Sequence, residues 1–326
     1  MNNVRFAFFF ALIGLMLSAC ETVINPELRI AEPLLVVDAW ITNKREMQTI
    51  ILSQSQAYFD NTLPPPVSNA TITVVENGNK TYTFTEESSR KGYYTWKPTG
   101  SEVFGAVGNS YKLTIQVNGE VYEATSKMGP STPVDSIVYK KNEPDQSNPD
   151  FYRAEFFAKD VVGIGDTYWI KTYKNGILLN KPSELNVAYD AGFDAGGPFF
   201  SRYATDVNGR VLKAKDGTDS VIWATFIPPI RNRMNPNDTD ANDNPLSPYV
   251  PGDSAYVEIH SITLAGFTYL RQLGEQTNRP GGFAELFSRP LANISTNIAN
   301  KNPNGKKALG FFNVAAVSGK GKKFVP

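Results

Sequence analysis

The chain of 326 residues holds one cysteine and one histidine. A single cysteine excludes an intrachain disulfide and any multi-cysteine zinc or iron–sulfur centre. A single histidine excludes a multi-histidine metal site. Neither sign of charge is in excess, because 32 Lys and Arg balance 32 Asp and Glu. Without a global positive field, no nucleic-acid partner is expected. Past the N-terminus no long apolar run occurs, so no spanning helix is expected in the body. What remains, 41% apolar and 12% aromatic residues, is enough for one large or two modest β domains.

The N-terminus reads as an address. After Arg5 an apolar run extends from Phe6 to Leu17. It is shorter than the ~20 residues a bilayer span needs and fits the h-region of a signal peptide. It ends in Leu17-Ser18-Ala19-Cys20, which resembles the bacterial lipobox. Small residues fit the signal peptidase, and the thiol takes the lipid. The only cysteine therefore stands where a lipoprotein needs one. Residues 1–19 are expected to be cleaved, leaving Cys20 lipidated (palmitate among its acyl chains) and residues 20–33 as a tether. Each buried methylene is worth ~0.8 kcal/mol, so several acyl chains hold a body that does not itself span the membrane. Glu21 rather than aspartate after the cysteine favours the outer membrane.

The fold class expected is mainly β. Asn-Gly pairs at Asn77, Asn118, Asn175 and Asn208 suit tight type I′ hairpin turns. Strands are expected at 34–42, 48–53, 70–76, 81–85, 92–96, 111–117 and 120–124, on β-branched and aromatic enrichment with period 2. That count and spacing predicts an immunoglobulin-like or transthyretin-like sandwich over 34–128. Pro64-Pro65-Pro66 marks an exposed loop. Residues 129–133, with Gly129, Pro130 and Pro133, read as a linker. The segment 134–326 reads as a second β-rich domain. Its strands are expected at 135–140, 152–159, 166–173, 202–206, 211–214 and 254–260, and again at 309–317. Long loops are expected at 181–200 and 228–251. Ile262, Gly266, Tyr269, Leu270 and Leu273 recur at helical spacing, predicting a helix near 262–275 capped by Ser261. A shorter helix is expected at 283–287.

The order of these pieces carries a resemblance. The lipobox is followed by Leu35-Val36-Val37-Asp38-Ala39-Trp40-Ile41-Thr42 and Pro66-Val67-Ser68-Asn69-Ala70-Thr71. Gly92-Tyr93-Tyr94, Tyr111-Lys112-Leu113 and Pro133-Val134-Asp135-Ser136-Ile137 come next. Gly252-Asp253, Asn297-Ile298 and Leu309-Gly310-Phe311-Phe312 close the series. The chain resembles the domain-of-unknown-function 4249 lipoproteins of Bacteroidetes-type bacteria over nearly all of its mature length. The resemblance implies an extracytoplasmic lipoprotein of the kind often encoded beside a TonB-dependent outer-membrane transporter. It carries over no catalytic residue. Asp38 departs from the glutamate or glycine more usual there, and Ala188 to Phe200 is short and glycine-rich for the family.

Several residue sets invite chemistry. His260 is the only imidazole base, but no Gly-x-Ser-x-Gly elbow accompanies it, so a bonded strand-end histidine is expected. Asn235 to Pro245 is rich in Asp and Asn, and Asp238, Asp240 and Asn242 alternate like the opening of a calcium loop. Asp243 and Tyr249 stand where the turn glycine and the closing glutamate would be. The competing reading is a solvated turn, and calcium, if bound, would be structural. Glu86, Glu87, Asp190 and Asp194 cannot be brought into one cleft by sequence alone. Ser136, Ser220 and Ser254 follow Asp and precede an aliphatic residue, matching a short O-glycosylation acceptor. Phe199, Phe200, Tyr203, Trp223 and Tyr249 lie in or beside the long loops and offer a recognition surface. The expected role is that of a non-catalytic accessory or ligand-binding partner of a TonB-dependent transporter. A structural or adhesive surface lipoprotein, and then a glycan or peptide hydrolase, are the alternatives.

Overall fold

The computed structural model describes residues 32–57, 60–143, 148–158, 166–189, 234–236, 238–279, 281 and 292–325. The expected signal peptide, Cys20, Asp190, Asp194, Ser220, the expected strands at 202–206 and 211–214, the expected helix at 283–287, and Phe199, Phe200, Tyr203 and Trp223 lie outside them. Pro33–Ser55 and Leu63–Pro326 make one compact unit. Within 56–62, Asp60 accepts from the Thr62 N–H at 2.9 Å and from its hydroxyl at 2.7 Å.

The chain is mainly β, as alternation predicted. Seven strands come first: β1 Leu35–Thr42, β2 Gln48–Gln54, β3 Thr71–Glu76, β4 Lys80–Glu86, β5 Tyr93–Trp96, β6 Ser110–Val117 and β7 Glu120–Lys127. Each buries alternate residues, as a strand with one face on a core must. Asn118 and Gly119 take φ of 51° and 78°, which gives the β6–β7 hairpin its tight turn. Lys80 to Phe84 of β4 pairs with β3, while Thr85 and Glu86 pair with β5. One strand thus passes from one layer to the other. The two layers enclose a single core that includes Val37, Ile41, Leu52, Ile72, Tyr82, Phe104 and Leu113.

The chain then builds β8 Val134–Lys141, β9 Tyr152–Ala158, β10 Thr167–Lys174, β11 Ile177–Leu178, β12 Asn186–Tyr189 and β13 Ser254–Ile262. Helix α1, Leu264–Thr277, follows, and β14 Ala299–Asn300, β15 Ala308–Ala315 and β16 Val317–Lys323 complete the described elements. A second sheet runs β11-β10-β13-β16, with β12 also on β10. The β8–β9 hairpin supplies Ile137, Ala154 and Phe156 to its core, against Tyr168, Ile170, Val257, Ile259 and Phe324.

The strands of the first sheet are not confined to 34–128. β14 pairs with β7, and β15 pairs parallel to β1 along its length, Leu35 opposite Ala308 through Thr42 opposite Ala315. Phe312 and Val314 enter the first core. The two ends of the nine-strand path approach each other, where the Val314 N–H donates to Ser126 Oγ at 2.9 Å. The Asn297 side chain pairs with the Phe312 backbone as a strand would, accepting at 3.0 Å and donating at 2.8 Å. Gly310 has φ of 89°, and a Cβ there would stand 1.9 Å from the Val37 carbonyl oxygen. Only glycine lets β15 approach β1 at that point.

Other expectations shift. Residues 129–133 are packed rather than free: Thr132 is buried, and Ser131 Oγ donates to the Ile259 carbonyl at 2.9 Å. Asn186–Tyr189, read as loop, is a strand on β10. β16 escaped the pattern because its Gly319, Lys320, Gly321, Lys322 and Lys323 carry no apolar alternation. The helix cap is Thr263, whose side chain accepts from the Gly266 N–H. Ser261 stays in β13, its N–H bound to the Ala316 carbonyl at 2.9 Å. Among the described residues no helix is long and apolar enough to cross a membrane.

Candidate functional site

Strand parity decides which side chains of the second sheet meet. On β10, Tyr168 and Ile170 enter the core, so Trp169, Lys171 and Tyr173 share the opposite face. Register places them beside His260, Glu258 and Tyr256 of β13, in that order. β16 sets Gly319 and Gly321 against Glu258 and Tyr256. A Cβ on Gly319 would stand 2.4 Å from the Tyr256 hydroxyl, so the bare strand is what lets that ring lie across it.

The outward face of β1 meets this surface. Its inward parity is apolar, which leaves Asp38 and Trp40 pointing away from the first core. The Trp40 ring meets Trp169 edge-on at 5.0 Å, stacks on Phe311 at 5.5 Å and reaches Tyr269 of α1 at 6.1 Å. These rings join Ile262, Leu270 and Ala315 in a third, small core. Asn313 Oδ1 accepts from both the backbone N–H and the hydroxyl of Thr263, which seats the start of α1 on β15. Gly266 fits closely there, since a Cβ would come within 3.1 Å of Asn313 Oδ1.

Charges surround the aromatic cluster. Lys44, in the turn after β1, donates to Glu258 Oε1 at 2.7 Å. Glu258 Oε2 lies 3.0 Å from His260 Nε2 and accepts from the Tyr173 hydroxyl at 3.3 Å. Burial works against the Glu258 carboxylate, but the bonds and charges of His260 and Lys44 outweigh it and hold its pKa at about 2. Burial pushes the His260 imidazole down to about 4, although the Glu258 bond pulls the other way. His260 is therefore a sealed, neutral partner of Glu258 at neutral pH, in keeping with the bonded strand-end histidine that was expected.

Two charges stand outside this set. Asp38 is exposed, yet burial by surrounding protein raises its carboxyl, and nearby Lys171 only partly opposes the rise. Burial lowers the Lys171 ammonium, against the pull of Glu258 and Asp38. Its Nζ lies 4.0 Å above the Trp169 ring, a cation–π contact. Among the described residues neither Asp38 nor Lys171 has a hydrogen-bond or ion-pair partner. They stand on the faces of β1 and β10 whose Trp40 and Trp169 rings meet at 5.0 Å.

Apart from His260, the described residues singled out from sequence lie elsewhere. The Asp240 carboxylate accepts from the Asn242 N–H at 2.8 Å, the Asn244 N–H at 2.9 Å and Asn244 Nδ2 at 3.1 Å. Asp238 pairs with Lys181 Nζ at 2.6 Å. The loop is thus held by its own N–H groups and one lysine, in the manner of an Asx turn. Among the described residues no cluster of three or more His, Cys, Asp or Glu side chains has the geometry of a metal site. Ser136 is half-buried in β8, and Ser254 opens β13 with its hydroxyl 3.3 Å from Asn175 Oδ1. Glu86 and Glu87 do not converge on one atom: Glu86 accepts from the Gly92 and Asn69 N–H groups, Glu87 from Arg90. Tyr249, offered as a recognition aromatic, is fully buried and donates to the Met234 carbonyl at 2.6 Å. Its ring fills the second core, where Tyr139 and Phe324 also pack.

Sequence reading missed Asp38, Lys44, Lys171 and Glu258 as a set. The available signal was parity: Asp38 and Trp40 alternate against Val37, Ala39 and Ile41, and Lys171 alternates against Ile170 and Thr172.

No curated protein and no solved structure matches the chain. The family model described as "Domain of unknown function (DUF4249)" matches residues 21–320, which is nearly the whole chain. The protein therefore belongs to the DUF4249 family.

Proposed function

We propose that this protein is a lipid-anchored accessory of the outer membrane that binds a ligand on behalf of a TonB-dependent transporter. The single observation that carries the anchor is Leu17-Ser18-Ala19-Cys20, with the only cysteine of the chain at the acylated position. Acyl chains at Cys20 give the anchor, and the β-rich body then remains outside the bilayer. Membership of the family supports the setting, and the aromatic and charged face carrying Trp40, Trp169 and Lys171 supports a binding role over a structural one. His260 is buried against Glu258, which argues against its service as a base.

The test has two arms. Cys20→Ser should abolish incorporation of labelled palmitate and release the protein from the membrane fraction. Affinity purification of the tagged protein from detergent-solubilised outer membrane should then bring down a transporter barrel in stoichiometric amount. A protein that is acylated but elutes alone would favour the structural or adhesive reading. A protein that is not acylated would overturn the anchor itself.

A further inference from the structure

We infer that the end of the first sheet at which β1 begins rests on the phospholipid bilayer that carries the anchor, with Leu63 in the headgroup layer and Lys306 and Lys307 against lipid phosphate. The inference rests on the acylation of Cys20 proposed above, and it needs neither the barrel nor a soluble ligand.

Strand directions bring the pieces of this surface together. β1 and β15 run parallel, so Leu35 and Ala308 start side by side, and antiparallel β2 finishes there with Gln54 opposite Leu35. The β6–β7 turn comes to the same end. A hollow of about 210 Å³ there is lined by Pro33, Leu35, Gln54, Val117, Glu120 and Lys306. The opposite end of β1 carries the second sheet: Lys44, just past β1, bonds Glu258, and β15 runs through Ala316 into β16. The 8 residues of β1, at about 3.3 Å each, set the two ends roughly 25 Å apart.

Acylated at Cys20, the chain reaches Pro33 through residues 20–32. A segment of that length spans at most about 45 Å. The tether therefore keeps the β1 end close to the bilayer, but it is longer than β1 and does not by itself decide how the body leans. Surface contacts decide that. The tether makes them intramolecular, so weak contacts suffice.

This end presents what a headgroup layer accepts. Leu63 is 91% exposed, more than any other large apolar residue described. It stands on Pro64-Pro65-Pro66, whose rings fix their φ angles. The loop is tied to β2, with the Gln54 N–H donating to the Pro65 carbonyl at 2.9 Å and the Val67 N–H to the Leu52 carbonyl at 3.0 Å. An apolar tip on a stiff loop loses little conformational freedom on insertion. The charges around it favour an anionic surface. Lys91, Lys306 and Lys307 are exposed. The carboxylates nearby are already engaged: Glu86 by the Gly92 and Asn69 N–H groups, Glu87 by Arg90, and Glu120 by Asn300 Nδ2 at 3.0 Å. Lysines within a Debye length of anionic lipid are drawn to it. The second sheet is then held on the side away from the bilayer.

The test is fluorescence quenching on the full-length acylated protein in vesicles of three parts phosphatidylethanolamine to one part phosphatidylglycerol. Acylation blocks the thiol of Cys20, so Leu63→Cys and Ile177→Cys each add a single thiol for an environment-sensitive dye. Ile177 lies on the second sheet and is 71% exposed. Headgroup-nitroxide lipid should quench the dye at 63 at least threefold more than the dye at 177. Lys306→Glu with Lys307→Glu should at least halve the quenching at 63. Melting curves that keep the wild-type midpoint check folding. If a labelled variant unfolds, amine labelling of the wild-type protein decides: Lys306 and Lys307 should react more slowly in vesicles than after the vesicles are dissolved in detergent, and Lys322 at the same rate in both. Equal quenching at the two positions would overturn the inference. A dye at 63 that is shielded from water but untouched by the nitroxide would mean that a second copy covers the loop, and would overturn it too. Quenching at 63 that survives the lysine changes would overturn the phosphate contact and keep Leu63. Intact mass separates the two readings: a chain without acyl mass overturns the anchor and this inference with it, whereas an acylated chain with position 63 in water overturns this inference alone.

Discussion

Glu76 and Glu258 are both buried carboxylates, and they are satisfied in opposite ways. Glu76, at the end of β3, accepts from the Tyr82 hydroxyl at 2.7 Å, the Tyr111 hydroxyl at 2.9 Å and Asn109 Nδ2 at 2.6 Å. All three donors are neutral and come from the same run of strands. Burial works against its charge, but those three bonds win and its pKa is lowered. Glu258 is instead held by a lysine 214 residues away in sequence, and by the only histidine of the chain. The first arrangement is a local fastener. It pins the loop before β6, where the Ala106 N–H donates to the Tyr111 hydroxyl at 2.6 Å. The second is a tertiary charge cluster, and its field extends to Lys171 on the open face. The contrast is between a fastener of neutral hydrogen bonds in the first sheet and a charge cluster in the second.

The strongest way to break that contrast is to remove Glu258. Glu258→Ala takes the acceptor from Lys44, His260 and Tyr173 and should cost about 3 kcal/mol, the low end for a broken buried pair, because Lys44 keeps Glu46 at 3.1 Å. Urea unfolding followed by the fluorescence of Trp40 and Trp169 measures it. A loss below about 1 kcal/mol would mean that water already reaches the pair.

Acidification separates the two glutamates next. The His260 imidazole sits near 4 in the folded protein, against 6.5 for the free group. The unfolded chain therefore takes up that proton first as pH falls. The stability due to a neutral His260 is complete above 6.5 and is lost as pH falls toward 4, on the order of 3 kcal/mol. Glu258, near 2 in the folded state, and Glu76, also lowered, contribute stability above their ordinary value of 4.5 and lose it only on further acidification. Between pH 6.5 and 4.5 the loss should therefore come from the second sheet. His260→Gln should flatten the urea midpoint over that window, and an unchanged slope would remove His260 as its source.

A smaller effect is expected in the first sheet. Tyr111→Phe removes one neutral donor from Glu76 and should cost about 1–2 kcal/mol. Its cost should stay constant from pH 8 to 6, because Glu76 is lowered and Tyr111 raised, so neither changes charge there. The smallest effect concerns the Asn/Asp loop. Because Asp240 is bonded to its own loop and Asp238 to Lys181, millimolar calcium should leave the melting midpoint in place. A rise on adding calcium, lost in Asp240→Ala, would restore Asp238, Asp240 and Asn242 as ligands.

Much of the fold was legible because its causes are local. Asn77, Asn118 and Asn175 all take positive φ, followed by glycine, at the turns where Asn-Gly pairs predicted them. The strands 35–42, 71–76 and 110–117 fall within a residue of their expected bounds. β12 was harder to find, since four residues are too few for a pattern. β16 defied the pattern because an edge strand whose glycines make room for Tyr256 need not alternate. The candidate site was hidden for a different reason. Asp38, Lys44, Lys171 and Glu258 each look ordinary in their own strand or turn. Only the pairing of distant strands brings them together.

The sequence by itself determined most of the described strands, the hairpin turns at Asn77, Asn118 and Asn175, the start of the helix to within two residues and the lipobox-like pattern. Each follows from φ preference, period-2 burial or a short linear pattern, all of which act over a few neighbouring residues. Only the tertiary structure decided that β15 returns to lie parallel to β1, and that Lys44 reaches Glu258. It also decided that the Trp40 and Trp169 rings meet at 5.0 Å. Such contacts close loops of hundreds of residues, and what selects them is the fit of whole faces: Gly310 against the Val37 carbonyl, Gly266 against Asn313 and Gly319 under Tyr256.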